Sequence, residues 1–328
     1  MGIKRLRLES GQAQLTNLRF ADDVLLVGNS LEEARQMLED LASEAMNYGL
    51  SPHPGKTKVL SNKSKRTTAE SQCYISVLGD KVEILPLEGQ TKYLGRMVTF
   101  CDPNGTEIAH RMKKAWAAFH ANKAIICNRA YPLKQRLHVF NSVVTPTALY
   151  GAGSWTLNGN TEAILRRTQR QMSRSILQER RRHTKPNDED TDSTNTILTA
   201  SSHTHEELEP WHDWIKRATD KIEGYSKRWG IDDWVHKARK RIFEWAGHVA
   251  RREDGRWSTA MLDWHPNRGP RFQEDGQGRK QARPITRWED SLVHYASTVN
   301  DGTIPWRFLA ADRTEWESHV KHFVLFHN

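Results

Sequence analysis

The four residues Phe20-Ala21-Asp22-Asp23, followed at once by the apolar run Val24–Val27, restrict the fold of this chain more than any other feature. A buried carboxylate without a partner is costly, so two adjacent Asp beside a β-prone run must lie at an exposed strand end or turn, or bind a cation. The stretch from Leu6 to Leu18 alternates loosely and leads into Phe20. The sequence therefore predicts a β-hairpin with both Asp at or beside its turn.

Two chemical interpretations of the Asp pair stay open from these residues. The first is a solvated turn that carries two acidic side chains. The second is part of a magnesium site, because Mg²⁺ prefers hard oxygen ligands and two-metal phosphoryl transfer uses carboxylates to hold its ions. An Ala-Asp-Asp turn supplies some of those ligands and not the whole set.

The residues that follow predict one helix and several short strands. Asn29-Ser30 offers an N-cap, apolar residues then recur at helical spacing, and Gly49 ends the helix. The predicted strands are Lys58–Leu60, a hairpin of Tyr74–Leu78 and Lys81–Leu85 joined across Gly79-Asp80, and a strand region at Lys92–Val98.

Beyond residue 105 the apolar spacing becomes helical. A first helix places Ile108 and Phe119 on its apolar face, and two more helices are predicted at Pro132–Tyr150 and at about 161–180. Ten of the 12 Trp lie at or after Trp211. So many large rings predict a compact, helical C-terminal domain.

The net charge of +9 is concentrated in one segment of the chain. Residues 1–105 are neutral, 106–182 carry +11, 183–209 carry −6 and 210–328 carry +4. The acidic, Ser- and Thr-rich segment 183–209 predicts a flexible linker. The excess in 106–182 favours a polyanionic partner there.

Nine cations of this basic segment are predicted to contact nucleic acid. Four of them lie about one helical turn apart and form a basic stripe. The nine are Lys113, Lys114, Arg166, Arg167, Arg170, Arg174, Arg180, Arg181 and Arg182. Contact with phosphates would be independent of base sequence and sensitive to salt. The alternative is an ordinary solvated face.

Composition argues against membrane and secreted proteins. No apolar stretch approaches the roughly 20 residues of a membrane span, and the N-terminus lacks the apolar core of a secretory signal. The spacing of Cys73, Cys101 and Cys127 fits neither a disulfide framework nor a zinc knuckle. We therefore expect an intracellular protein, nuclear or cytoplasmic, with no membrane partner.

Six stretches of sequence, taken in order, carry a resemblance to a known family. They are Leu15–Leu26, the helix Ser30–Asn47 with Gly49-Leu50-Ser51 and Lys56-Thr57-Lys58, Lys92-Tyr93-Leu94-Gly95, Leu149-Tyr150-Gly151 with Trp155, Arg241–Arg251, and Arg283-Pro284 with Arg287–Asp290. Together they resemble the reverse transcriptase of non-LTR (LINE-type) retrotransposons, and they cover most of residues 15–290.

The resemblance implies an α+β fold built around part of a polymerase palm. Residues 1–105 would form the partial palm of β-hairpins and a helix, and 106–182 an all-α, basic thumb. The acidic linker 183–209 would lead to the Trp-rich helical domain 210–328.

The resemblance also implies roles for seven residues of the partial palm. These are Asp22 as a Mg²⁺ ligand, Asp23 as a second or supporting carboxylate, Lys56 or Lys58 near the phosphates of the incoming nucleotide, and Tyr93, Leu94 and Gly95 in a hairpin that positions the primer end. The implied partners are an RNA or DNA template–primer and, if a complete site is assembled, deoxynucleotides.

The leading hypothesis is a fragment of such an RNA-directed DNA polymerase. Only 21 residues precede Asp22, so we expect the family's earlier palm Asp and its fingers to be missing and the fragment to be inactive alone. Nucleic-acid binding would remain. The alternatives are a non-enzymatic nucleic-acid-binding protein and a relic open reading frame without selected function.

Overall fold

A computed structural model of the chain describes residues 6–7, 14–62, 74–184, 207–263, 287–299 and 304–326. The strands are β1 (Leu6–Arg7), β2 (Gln14–Leu15), β3 (Asn17–Phe20), β4 (Asp23–Leu26), β5 (Lys58–Val59), β6 (Tyr74–Val77), β7 (Asp80–Ile84), β8 (Thr91–Tyr93), β9 (Arg96–Val98), β10 (His183–Thr184) and β11 (Glu207–Leu208). The helices are α1 (Leu31–Met46), α2 (Pro103–Ala121), α3 (Lys123–Ile126), α4 (Leu133–Ala148), α5 (Gly159–Leu177), α6 (Trp211–Arg228), α7 (Trp234–Ala250), α8 (Trp257–Asp263), α9 (Asp290–Val299), α10 (Trp306–Leu309) and α11 (Arg313–Phe326). The predicted α+β class is confirmed, with small sheets and a majority of helix.

Within the described ranges, none of the helices has both the length and the apolar character that crossing a membrane requires.

The chain divides into two compact units, each assembled from segments that are distant in sequence. Unit 1 comprises residues 1–110, 151–158 and 239–328, and unit 2 comprises 111–150 and 159–238. The domain boundaries at 105, 182 and 209 remain a sequence-based prediction.

Helix α1 begins and ends where the sequence predicted. The hydroxyl oxygen of Ser30 accepts a hydrogen bond from the backbone N–H of Glu33 at 3.0 Å, and the Glu33 carboxylate accepts one from the N–H of Asn29 at 2.7 Å. These bonds satisfy N–H groups that a helix start otherwise leaves open. After Met46 the chain turns through Gly49, whose φ of +71° suits a residue without Cβ.

A three-stranded sheet packs against α1 to form one core of unit 1. Strand β7 lies in the centre, antiparallel to β6 and parallel to β5. Alternate residues of β6 and β7 are buried because successive side chains point to opposite faces of a sheet. The buried set is Leu38, Ile75, Val77, Val82 and Ile84.

Two turns differ from the sequence prediction. The β6–β7 hairpin turns at Leu78-Gly79 instead of Gly79-Asp80, and the predicted strand region Lys92–Val98 is a second hairpin, β8–β9, turning at Leu94-Gly95. Both turns have positive φ at each residue, +47° and +93° in the first and +46° and +79° in the second. Such turns match the twist of paired strands, but a Leu in the first position is not a recognisable signal for them.

Aromatic residues fill a second core of unit 1. The ring of Phe243 stacks on that of Trp316, with centroids 3.8 Å apart and planes 2° apart, and both side chains are buried. Tyr295, Trp306 and Phe323 complete this cluster. Two of the C-terminal Trp residues, Trp306 and Trp316, are thus buried in this core.

The described residues of unit 2 are helical apart from one short strand pair. Phe140 and Trp234 stack with centroids 5.9 Å apart, and the Trp234 indole donates a hydrogen bond to the Thr145 hydroxyl at 2.9 Å. Strands β10 and β11 pair at the two ends of the predicted linker. Residues 185–206 of that linker lie outside the described residues, as do Arg283-Pro284.

Candidate functional site

The Asp pair lies at the tip of a hairpin, which confirms the sequence prediction. Strands β3 and β4 pair antiparallel, with Phe20 opposite Asp23, so that Ala21 and Asp22 form the turn. Ala21 has a φ of +51°, a left-handed conformation that is uncommon for residues other than glycine and that here closes the turn. Asp22 and Asp23 are both exposed. Two adjacent carboxylates are thus presented to solvent at one end of a two-stranded ribbon.

A second hairpin lies beside the first in unit 1. The Tyr93 hydroxyl, at the end of β8, donates a hydrogen bond to the carbonyl oxygen of Leu18 in β3 at 3.2 Å. Burial, and next the negative charge of Asp23, raise the pKa of the Tyr93 phenol. The structure therefore brings the Tyr93 hydroxyl close to Asp23, although the two residues are 70 positions apart in sequence.

Two contacts that the sequence did not reveal hold the β8–β9 hairpin. A carboxylate oxygen of the fully buried Glu107 in α2 accepts a hydrogen bond from the backbone N–H of Met97 at 2.7 Å. The Arg96 guanidinium donates to the hydroxyl of Ser154. The sequence signal for these contacts was Glu107 itself, which lies beside the apolar face of the first predicted helix. A carboxylate that is buried there needs a hydrogen-bond partner.

The two predicted nucleotide lysines belong to the neighbouring sheet region. Lys58 is in β5, and its ammonium group lies 2.6 Å from a carboxylate oxygen of Glu83 in β7. Lys56 is exposed in the turn that precedes β5. The Lys58 charge is therefore partly satisfied within the sheet.

The chemistry of the Asp pair suits a hard divalent cation. Carboxylate oxygens are preferred Mg²⁺ ligands, and solvent exposure leaves room for the waters that Mg²⁺ retains. Within the described ranges, no group of three or more His, Cys, Asp or Glu side chains is arranged to hold a metal ion. Asp22 and Asp23 thus fit one side of a site whose other ligands would come from water, from substrate phosphates or from further residues.

The predicted basic stripe on α5 divides into exposed and engaged cations. Arg167 is exposed on the helix. Arg170 forms an ion pair with Glu223 at 2.6 Å, and Arg166 lies 3.6 Å from Glu162 and 3.8 Å from Asp233.

Helix α6 partly covers the last cation of the stripe. Arg174 donates a hydrogen bond to the Thr219 hydroxyl at 2.9 Å, and burial lowers the pKa of its guanidinium. The sequence showed the spacing of these cations but not the acidic and polar partners that unit 2 places beside them.

The predicted cations that follow α5 also include both hydrogen-bonded and exposed side chains. Arg181 donates to the carbonyl oxygen of Glu209 at 2.7 Å, whereas the side chains of Arg180 and Arg182 are exposed. Lys113 and Lys114 are exposed on α2, as their position on its polar face predicted. The side chains of five of the nine predicted cations are therefore exposed and make none of these contacts: Lys113, Lys114, Arg167, Arg180 and Arg182.

A charged cluster in unit 2 organises the chain around Arg217 of α6. Its guanidinium contacts the carboxylates of Glu209, at 2.6 Å, and Glu179, at 2.8 Å. These bonds to Arg217 lower the pKa of Glu209 to about 2. The backbone N–H of Arg182 donates to the same Glu209 carboxylate at 3.1 Å. This cluster is structural, since its charges satisfy one another.

Comparison with known proteins gives one informative relative. No family model matches the chain, and no solved structure matches it. A protein of Caenorhabditis elegans, whose name describes it as an uncharacterized transposon-derived protein, F52C9.6, is 31% identical over 310 residues. The aligned region covers 94% of this chain and 95% of the relative. The similarity therefore extends over nearly the whole length of both proteins.

Proposed function

We propose that this chain, which belongs to the same family as the Caenorhabditis elegans protein F52C9.6, is transposon-derived as that relative is and has the function of a reverse-transcriptase polypeptide. In this function the chain holds an RNA or DNA template–primer and presents Asp22 and Asp23 as part of a Mg²⁺ site. The observation that carries the proposal is the hydrogen bond between Tyr93 and Leu18, which joins the β8–β9 hairpin to the hairpin that carries the Asp pair.

Each residue group of the two hairpins has a distinct task in this proposal. Asp22 and Asp23 would hold Mg²⁺, which when bound supplies charge stabilisation for phosphoryl transfer. Leu94 and Gly95 form an exposed turn that would support the end of a primer strand, and Tyr93 fixes that turn relative to the carboxylates. Lys56 is the lysine better placed for nucleotide phosphates, because Lys58 is paired with Glu83.

The metal-binding part of the proposal is tested by cleavage with Fe²⁺ in place of Mg²⁺. With ascorbate and peroxide, bound Fe²⁺ generates radicals that cut nearby backbone. We expect cuts in the Asp22–Asp23 turn and in the Leu94-Gly95 turn of the full chain with a template–primer present, and their loss in Asp22→Ala and Asp23→Ala. Asp80→Ala is the matched control, because Asp80 also begins a strand after a two-residue turn but has no adjacent Asp. Cuts that remain unchanged in Asp22→Ala and in Asp23→Ala would exclude this metal site.

Polymerase activity is the second readout of the same site. Two carboxylates do not complete a two-metal site, so we propose that this chain alone does not extend a primer. Extension of a primer on an RNA template with Mg²⁺ and deoxynucleotides, abolished by Asp22→Ala, would show instead that the chain completes the site by itself.

The nucleic-acid contact is proposed to involve five of the exposed cations of unit 2, namely Lys113, Lys114, Arg167, Arg180 and Arg182. We expect Arg167→Gln to weaken binding to an RNA–DNA hybrid and to reduce the slope of log K against log salt by about one, with the folded state unaffected. Arg174→Gln is the control, since Arg174 is engaged with Thr219 and its loss should lower stability more than binding. Equal binding by both variants and the unaltered chain would contradict this contact.

A second candidate function is binding of nucleic acid without catalysis. The exposure of Lys113, Lys114 and Arg167 in unit 2 favours it, because this surface does not depend on the Asp pair. It predicts that Asp22→Ala and Asp23→Ala bind the hybrid as the unaltered chain does, with Mg²⁺ and without it.

A further inference from the structure

The sequence from Arg241 to Arg251 in α7 contains two sets of residues with different environments. Phe243, Ala246 and Gly247 are buried in the aromatic core of unit 1. A Cβ added at Gly247 would lie 2.4 Å from two atoms of the Trp316 indole, so only glycine allows the Phe243–Trp316 stack beside this helix. Packing in the core therefore explains why the inward-facing positions of this segment carry apolar residues and a glycine.

The outward-facing residues of the same helix form a cluster that packing does not explain. The Trp245 side chain is 39% exposed, although burying an indole is strongly stabilising. The His248 ring centroid lies 5.4 Å from that of Trp245, and the Arg252 guanidinium lies 5.9 Å from the Trp245 ring centroid. One exposed aromatic plane is thus bordered by an imidazole and a cation.

The cluster is held in place before any ligand arrives. The Arg252 guanidinium donates a hydrogen bond to Nε2 of the His248 ring at 2.9 Å, which fixes the two side chains relative to each other. On the other side, a Cβ at Gly153 would lie 3.1 Å from Cβ of Trp245. Trp245 therefore packs against Gly153, and part of its side chain remains exposed to solvent.

The charge around the cluster suits an anionic ligand. Residues 239–256 carry six Lys or Arg and three Asp or Glu, a net charge of +3. The Glu244 carboxylate lies 3.8 Å from the Lys240 ammonium, and the Asp254 carboxylate lies 2.8 Å from the Arg256 guanidinium. Arg252 forms no ion pair with the described residues, and its guanidinium contacts His248, Ser258 and the Trp245 ring.

We propose that Trp245, His248 and Arg252 form a binding site for a nucleotide of single-stranded nucleic acid. The unpaired base stacks on the open surface of Trp245, and Arg252 contacts the adjoining phosphate. This inference rests on the proposed function only in taking nucleic acid as the ligand, and it places a contact in unit 1 that the cations of unit 2 do not supply. The site is independent of base identity, since every base has a face that stacks.

The proposal is tested by fluorescence anisotropy with the full chain and three probes. The probes are labelled oligo-dT and oligo-U of roughly 12 nucleotides, and an abasic oligomer of equal length. We expect Trp245→Ala to weaken binding of oligo-dT and oligo-U about tenfold or more, and Trp245→Phe to retain most of it. The abasic oligomer should bind the unaltered chain and Trp245→Ala equally. Trp211→Ala is the control, since Trp211 is 64% exposed on α6.

A measurement on the unaltered chain guards against misfolded variants. An oligomer containing 5-iodouracil should photocrosslink to the peptide that contains Trp245. Crosslinks confined to other peptides, or an equal loss of affinity for base-containing and abasic probes in Trp245→Ala, would overturn the stacking site.

Failure of this inference is distinguishable from failure of the proposed function. If the chain binds an RNA–DNA hybrid in an Arg167-dependent manner while Trp245→Ala leaves oligo-dT and oligo-U binding unchanged, the stacking site alone is wrong. If the unaltered chain binds none of the probes and no hybrid, both are wrong.

Discussion

Gly247 shows how a single position can be fixed by a neighbour that is far away in sequence. Most helical glycines lower stability, because glycine gains more backbone entropy on unfolding than alanine does. At position 247 a methyl group would instead meet the indole of Trp316 at 2.4 Å and force the stacked pair of Phe243 and Trp316 apart.

We therefore expect Gly247→Ala to reduce the free energy of unfolding by about 1–3 kcal/mol, the usual cost of overpacking a core. Urea denaturation of the full chain measures this change. Gly224→Ala in α6 is the matched control, because nothing lies within 4 Å of its added Cβ, and it should raise stability by about 0.5–1 kcal/mol. The same sign of change in both variants would contradict this account of Gly247.

The β8–β9 hairpin is the element on which the candidate site depends. Its strands have three residues each, so their own pairing contributes little stability. The hydrogen bonds from Tyr93 to Leu18 and from Met97 to Glu107 tie it to the rest of unit 1.

Removing the buried carboxylate should release this hairpin. We expect Glu107→Ala to leave the Met97 N–H without its acceptor, to cost about 1–3 kcal/mol, and to speed hydrogen exchange across residues 91–98. Hydrogen–deuterium exchange read by mass spectrometry measures the effect. Glu107→Gln keeps an acceptor oxygen and should retain more of the protection, so equal exchange in the two variants would argue against this role of Glu107.

At the scale of the whole molecule, acidic residues of one sequence segment contact basic residues of another. The most basic segment, 106–182, carries +11, yet Glu209, Glu223 and Asp233 from the following segments contact its chain or its arginines. Hydrogen bonds from Arg217 lower the pKa of Glu209 from its ordinary 4.5 to about 2, and those from Lys221 and Arg217 lower the pKa of Glu179.

These shifts predict how the stability of the chain depends on pH. A carboxyl group whose pKa is lower in the folded state stabilises that state fully above its unfolded pKa, near 4.5, and loses its contribution as the pH falls toward 2. We expect the Tm to fall over this range. Glu209→Gln should be less stable than the unaltered chain at pH 7, and the difference should diminish toward pH 2. A constant difference across that range, in thermal unfolding followed by circular dichroism, would contradict the assignment.

Local sequence determined the features that depend on a few adjacent residues. The turn at Ala21-Asp22, the N-cap at Ser30 and the exposed positions of Lys113 and Lys114 follow from side-chain polarity and backbone period. The α+β class follows from the same patterns. The hairpin at Leu94-Gly95 was implied by the resemblance, whereas the residue pattern predicted only a strand region there, because a positive φ at Leu has no local signal.

The tertiary structure alone decided which of these features meet. It set Tyr93 beside the Asp pair, paired Arg170 with Glu223 while leaving Arg167 exposed, and turned Trp245 outward while burying Phe243. The physical reason is that charge, burial and hydrogen bonding are properties of neighbours in space. A sequence pattern limits which face of an element is apolar, but only the packed chain determines what lies against that face.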